Sequence, residues 1–327
     1  MRAVAEKAVL FPFCRPYTGN MKRHLTLYLT AALFLALVLL APQAAEGAKQ
    51  GLAVCAAALM PSLFPFFVLS NLLSALGLAD LLSGSIGKAV ERLFRVSGCG
   101  AQAFLLGITG GYPLGAHAVA DLRREKLVSR DEAERLLAFC NNSGPAFILG
   151  AAGGVFRSPK AGLLLYLSHV LGAVCVGLVF RRNRADGREI RRPSVRSASF
   201  GEALPAAVNG AVASTLSVCG YVILFSALLG CISPLAALPP LPEALLRGFA
   251  ELGNGVAALR GLPPSPVNLA AAALLLGWGG LSVHAQTLAA VAGTDIACAR
   301  HLAGRALCGG FAAVFTYGLS RMLFQYG

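Results

Sequence analysis

The stretch Gly107-Ile-Thr-Gly-Gly-Tyr-Pro-Leu-Gly-Ala-His117 constrains this chain more than any other. It interrupts an apolar run, residues 101–120, that would otherwise read as one membrane helix, and it sets paired glycines and a proline at the middle of that run. Proline removes a backbone donor and clashes with the preceding turn, so the helix breaks here. In lipid every backbone N–H and C=O needs a partner, and broken backbone survives at membrane depth only against protein or a watered cavity. Transporters line their binding sites with such breaks. Two further interruptions echo it: Asn141-Asn-Ser-Gly-Pro145 and Gly277-Trp-Gly-Gly-Leu-Ser-Val-His-Ala-Gln286.

Composition agrees with a membrane setting. Of 327 residues, 56% are hydrophobic and 13% charged, and the apolar residues fall in blocks of about 18 or more, enough to span a bilayer. The formal charge of +13 sits in loops beside apolar blocks, which the positive-inside rule explains better than nucleic-acid binding. The lipid bilayer is therefore an expected partner and nucleic acid is not; a homo-oligomer stays open. The nine cysteines show no CxxC or Cys/His ligand spacing and read as small hydrophobes, so neither metal nor cofactor is expected. The absence of GxSxG, HExxH and Walker loops argues against an enzyme.

In chain order, residues 1–24 form an N-terminal extension in which Met21-Lys-Arg-His looks like a better beginning than Met1. Residues 25–50 hold a first apolar block and loop. The block resembles a signal peptide, but reads as an uncleaved span because the remaining chain is also membrane-embedded. Residues 51–157 carry a span kinked by Pro61 and Pro65, an amphipathic interfacial helix over 80–96, the broken segment, and a helix opened by a Ser129/Glu132 capping box that breaks before Pro145, with Ser143 as the cap of its second half. Residues 158–200 supply a linking span and a basic loop, 181–196, with seven arginines. Residues 201–327 repeat the order: apolar 201–232, amphipathic 243–252, a broken apolar region 266–292, and a last span 301–324 holding Arg305.

An internal repeat emerges when the halves are aligned. Arg92-Leu-Phe-Arg-Val-Ser-Gly-Cys-Gly100 matches Arg247-Gly-Phe-Ala-Glu-Leu-Gly-Asn-Gly255 at the arginine, the phenylalanine and both glycines. If residues 98–120 crossed the bilayer, the basic stretches 88–95 and 123–135 would lie on opposite faces; a re-entrant hairpin puts them on one. Legs of about ten residues reach roughly 15 Å, the bilayer middle. With one span between the copies, the fold expected is all-α and polytopic, with two inverted-topology repeats, each made of a span, an interfacial helix, a re-entrant hairpin and a broken span.

The motifs Pro61-Ser-Leu-Phe-Pro-Phe-Phe67, Gly110-Gly-Tyr-Pro-Leu-Gly-Ala116 and Cys140-Asn-Asn-Ser-Gly-Pro145 resemble the YlbJ (SpoVV) group of sporulation integral membrane proteins over about residues 25–325. The resemblance implies the nucleoside-recognition or Gate domain, a repeat plan similar to concentrative nucleoside transporters, and transport of dipicolinic acid across the outer forespore membrane. Nucleoside transport and a non-transporting role in sporulation-membrane assembly are the alternatives.

For a site, two half-helices beginning near Tyr112 and Pro145 would turn free N–H groups and positive dipole ends toward the midplane, where an anion fits. The candidate substrate-binding residues are Thr109, Gly110, Gly111, Tyr112, Pro113, Asn141, Asn142, Ser143 and Gly144, with Ser282, His284, Gln286 and Arg305 from the second half. Each has a plainer reading: small residues for close helix packing, asparagines as a helix cap, an arginine snorkelling to the interface. His117 and Asp121 share a helix face but lack further metal ligands. Ser168 and His169 fall in an ordinary span.

Overall fold

The computed structural model describes residues 21–182, 198–232 and 238–323. The expectations for residues 1–20 and for most of the basic loop lie outside them. The described residues are helical or irregular, without strands, and the chain divides into one unit ending at Ala41 and a second from Pro42 onward. In the first, α1 (Met21–Leu39) contains the apolar stretch His24–Leu39.

The second unit begins within α2 (Ala41–Val54), which continues through a π-helical turn, Cys55–Leu59, into α3 (Met60–Ala75). Pro61 explains the turn. It has no N–H and would collide with the carbonyl one turn back, and the helix relieves this by widening, with the Met60 N–H donating to the Cys55 carbonyl. Next comes α4 (Leu78–Phe94), the amphipathic helix, whose end is pinned by Phe94 packing on Phe104 and Phe139 at ring separations of 5.4 and 4.6 Å.

The broken segment is α5 (Gly100–Gly110) and α6 (Leu114–Arg124), which pack along each other and turn at 111–113. Their outer ends meet, since the Cys99 thiol reaches the Leu127 carbonyl at 3.7 Å. The two helices thus form a hairpin. Helix α7 (Arg130–Cys140) opens with Ser129 accepting from the Glu132 N–H at 3.2 Å. Only half of the expected capping box forms: the Glu132 carboxylate turns away to accept from the N–H and hydroxyl of Ser97. After the break at 141–145, a π-helical stretch, Ala146–Ala152, runs into α8 (Gly153–Val155), then α9 (Pro159–Val179).

The second half holds α10 (Phe200–Ile232), α11 (Pro240–Ala250), α12 (Leu252–Ala258), α13 (Pro266–Trp278), α14 (Gly280–Ala290) and α15 (Ala299–Leu323). Here the structure departs from one expectation. Residues 266–292 do not form the mirrored hairpin: α13 and α14 do not pack along each other, and together they make one interrupted stretch of 25 residues. The interruption is Gly279 and Gly280, both at positive φ (88° and 81°), a backbone that side-chain-bearing residues rarely adopt. The chain that doubles back is instead α11 with α12, turning at Glu251, with Gly255 set directly against Gly248.

Among the described residues, five helical stretches are long and apolar enough to cross a bilayer: Ala41–Ala75, Pro159–Val179, Phe200–Ile232, Pro266–Ala290 and Ala299–Leu323. Their patterning suits lipid. On α9 the exposed stripe is Leu163, Leu167, Leu171 and Leu178, while Ser168 and His169 are wholly buried. Polar groups turned inward and leucines turned outward is the arrangement a hydrocarbon solvent selects. Small residues bring the backbones close: Gly172 lies against the Cys308 carbonyl, and Gly277 against Gly309. The result is a multi-pass integral membrane protein.

Candidate functional site

The site gathers where the hairpin tip, the 141–145 break and α15 meet. Gly111 ends α5 at φ +87°, and a Cβ there would stand 2.7 Å from the Gly144 nitrogen. Glycine is thus required twice, by conformation and by the close approach of tip to break. The tip carries Tyr112, whose hydroxyl donates to the Leu276 carbonyl on α13 at 3.1 Å and accepts from Arg305 Nη1 at 3.2 Å.

Arg305 is wholly buried, which removes the snorkelling reading. Its Nη1 also donates to the Asn141 carbonyl and, at 3.1 Å, to Asn142 Oδ1. Its Nε and Nη2 have no oxygen or nitrogen partner, the Cys308 thiol being the neighbour, and it forms no ion pair with a carboxylate among the described residues. A guanidinium stays charged, and taking it out of water costs several kcal/mol even after relaxation. Carbonyl and hydroxyl dipoles offset part of that cost and leave a net positive charge at the centre of the protein.

The asparagines are spent on the scaffold. Asn141 Oδ1 accepts from the Ala116 N–H at 3.3 Å and its Nδ2 donates to the Thr287 hydroxyl at 2.8 Å, tying α6 to α14. Asn142 Nδ2 donates to the Phe139 carbonyl at 2.7 Å. The N–H groups expected to stay free at the half-helix starts are partly used as well: Ala116 by Asn141, and Ser143 by His169 Nε2 at 3.1 Å. Ser143 makes no side-chain cap; Pro145 precedes the second half-helix uncapped by a side chain.

Beside this cluster lies a small pocket that opens to the surroundings. Its polar wall is Tyr112, Ser143, Glu251 and Gln286, with Gly144 and Gly253 as backbone floor; the rest is apolar, Leu59, Leu63, Phe147, Val218, Val222, Leu252 and Val283. Both halves of the chain contribute, through the α5–α6 tip, the 141–145 break, the α11–α12 turn and α14. Arg305 stands behind the wall, reached through Tyr112.

Of the candidates read from the sequence, Tyr112, Ser143, Gly144 and Gln286 line the pocket, while Gly110, Gly111, Pro113, Asn141, Asn142 and Arg305 build the frame behind it. Thr109 does not join: it is exposed on α5, its hydroxyl returned to the Leu105 carbonyl at 2.6 Å. Ser282 is wholly buried with its hydroxyl beside the Glu251 carboxylate, and His284 turns away from the pocket toward His301. Sequence reasoning missed Glu251, His169, Thr287 and the apolar wall. Glu251 caps α12, accepting from the Asn254 N–H at 2.6 Å, and is 2% exposed; an acid inside an apolar half-repeat was the available signal. His117 is partly buried on α6 and Asp121 pairs with Arg124 at 2.8 Å; among the described residues no three His, Cys, Asp or Glu side chains gather to hold a metal.

Compared with known proteins, the chain is 34% identical over 338 aligned positions to the sporulation integral membrane protein YlbJ of Bacillus subtilis strain 168, covering 91% of this chain and 82% of that protein. No family model matches the chain, and no solved structure does.

Proposed function

Since the chain belongs to the family of the sporulation integral membrane protein YlbJ, we propose that it is a transporter that moves a small organic anion, dipicolinate, across the outer forespore membrane. The observation that carries this reading is Arg305: a wholly buried cation, unpaired by any carboxylate among the described residues, bonded to the tip and the break that border the pocket. Such a charge is retained at a cost of several kcal/mol, and a counter-charge delivered by a ligand would recover part of it. The apolar wall suits the face of an aromatic ring, and Ser143 and Tyr112 supply hydroxyls at its edge.

The two halves are read as inverted repeats with alternating access around this pocket. In that reading hairpin is matched to hairpin, α5–α6 to α11–α12, the interrupted pair α7 and 146–155 to α13 and α14, and α9 to α15, in place of the match of Arg92–Gly100 to Arg247–Gly255, which would set α4 against α11. Contacts at one end of the bundle agree with the hairpin topology: Arg135 donates to the Arg95 carbonyl and Arg181 to the Arg92 carbonyl, at 3.2 and 3.0 Å.

A second reading, transport of a neutral solute such as a nucleoside, is favoured by one observation: Glu251 and the unpartnered oxygen of Gln286 both offer acceptors to the pocket, which suits a ligand rich in N–H and O–H donors. The test is uptake of labelled dipicolinate and of a nucleoside into vesicles carrying the purified protein, with Gly111→Leu beside the parent. Dipicolinate uptake by the parent and none by Gly111→Leu, which should insert normally, is expected; nucleoside uptake alone moves the assignment to the second reading, and uptake of neither to an assembly role.

A further inference from the structure

Away from the pocket, the second half holds a histidine pair with a fixed direction. His284 on α14 and His301 on α15 face each other, Nδ1 of the first 3.2 Å from Nε2 of the second, with rings 5.2 Å apart and crossed at 75°. His301 Nδ1 lies 3.2 Å from the Leu137 carbonyl of α7. A carbonyl only accepts, so the proton of His301 sits on Nδ1 and its Nε2 bears the lone pair. That lone pair can accept only if His284 carries its own proton on Nδ1. The remaining lone pair, His284 Nε2, is buried and has no partner. One backbone carbonyl thereby sets both tautomers and leaves a single basic atom at the end of the chain.

The pair also joins the right elements. It links α14 to α15 and, through Leu137, to α7, so both interrupted spans meet at it. Arg305 follows His301 by one helical turn on α15. The other charged groups on the packed elements are already engaged: Arg300 with Asp131 and Glu134 of α7, Arg124 with Asp121 on α6, Arg247 with Glu243 on α11, and Glu251 with the start of α12. His169 on α9 accepts from Ser143. Glu251 too is bonded only to neutral groups and lines the pocket; the charge without a counter-ion one turn from the pair is Arg305.

We propose that His284 and His301 form one proton-binding site, loaded together with the anion held near Arg305. With the pocket empty, a second positive charge one turn from Arg305 is opposed by like-charge repulsion in a dry setting. An anion that cancels the arginine removes that opposition. The pair then takes a proton from water at His284 Nε2, becoming an imidazolium that still donates from Nδ1 to His301, and no bond other than the N–H forms. By reciprocity the proton strengthens anion binding by the same factor that the anion strengthens protonation. Transport would then be proton-coupled, and less net charge would cross the bilayer. The direction of coupling rests on the anion reading; the shared site does not.

The experiment therefore has two arms. Histidine-selective ¹⁵N NMR of the full chain in nanodiscs, without ligand, should show protons on Nδ1 of both rings at high pH and then one proton taken at His284 Nε2 as a single step of the pair. Independent titration of the two rings, or Nε2–H on His284 at high pH, overturns the site. In the second arm, a pH-indicator dye in weak buffer reads protons taken up per dipicolinate bound; the parent should take up a sizeable fraction of about one proton, and His284→Gln and His301→Gln should take up none per ligand bound. Uptake retained in both variants overturns the coupling. A parent that titrates as expected but binds no dipicolinate would refute the anion reading and the direction of coupling, while leaving the proton site standing.

Discussion

The arginines at the end of the bundle and the arginine at its centre are the same residue type under opposite rules. Arg123 pairs with Asp295 at 2.7 Å, Arg124 with Asp121 at 2.8 Å, Arg135 with Asp131 at 3.1 Å and Arg300 with Asp131 at 2.7 Å. These four arginines tie helices and loops together, and each has a carboxylate as its partner. Arg305 is bonded to carbonyl, amide and hydroxyl oxygens and to no carboxylate among the described residues. Arg305 is thus the wholly buried arginine whose charge has no carboxylate among the described residues to answer it.

The sharpest way to break the comparison is Arg305→Gln. If Arg305 acts as counter-charge, binding of dipicolinate should weaken by more than tenfold, the range expected when a desolvated charge partner costs about 2–5 kcal/mol, while a neutral ligand loses far less. Because Arg305 also holds the break, Arg305→Lys separates the roles: charge without the guanidinium fork should restore part of the preference for the anion. Competition binding with dipicolinate, its monoamide and a nucleoside reads all three proteins. Equal loss for charged and neutral ligands, with no recovery in the lysine variant, would make Arg305 a structural strut.

Why one arginine stands out and others do not was partly legible in the sequence. A charge inside an apolar block announces itself, and so do breaks made by Gly111, Pro113 and Pro145, because glycine and proline act on the backbone where they stand. The hairpin of α5 and α6 followed from charge on its flanks. The contacts that complete the site were hidden because they are made across distance: His169 reaches Ser143 from another span, Thr287 reaches Asn141 from the other half, and Glu251 enters the pocket only because α11 and α12 fold on each other. The misplaced second hairpin has the same origin. Two glycines at Gly279 and Gly280 read like a turn, yet whether a chain reverses or only jogs there is decided by what the next helix packs against.

Arg135 tests the middle of the scale. Its side chain is only 4% exposed, yet it has Asp131 and the Arg95 carbonyl as partners. Arg135→Gln should remove the guanidinium's bonds to that carbonyl and to Asp131, leaving Asp131 with Arg300 and lowering stability by about 1.5–3 kcal/mol, the worth of a hydrogen bond to a charged group. Dipicolinate affinity in the protein that remains folded should stay near the parent's. Thermal unfolding in detergent beside ligand binding measures both; a tenfold loss of affinity would place the peripheral arginines in the binding function and dissolve the contrast with Arg305.

The smallest effect belongs to Asp295, half exposed and held by Arg123 through two bonds of 2.8 and 2.7 Å. Donation from Arg123, followed by its charge, pulls the Asp295 carboxyl from 3.8 down to about 2. A folded value below the unfolded one means that the unfolded chain takes up the proton first as pH falls, so the contribution is complete above the ordinary carboxylate range and is lost as pH drops toward about 2. Asp295→Asn removes that titration. Parent and variant should therefore differ slightly in melting temperature near neutral pH and converge as pH falls from about 4 toward 2, and added salt should narrow the gap in the same way because the pair is in reach of solvent. A gap that stays constant across that pH interval would mean that the carboxylate's charge is not what holds Arg123. The peripheral pairs would then be packing contacts, and the distinction from Arg305 would rest on burial alone.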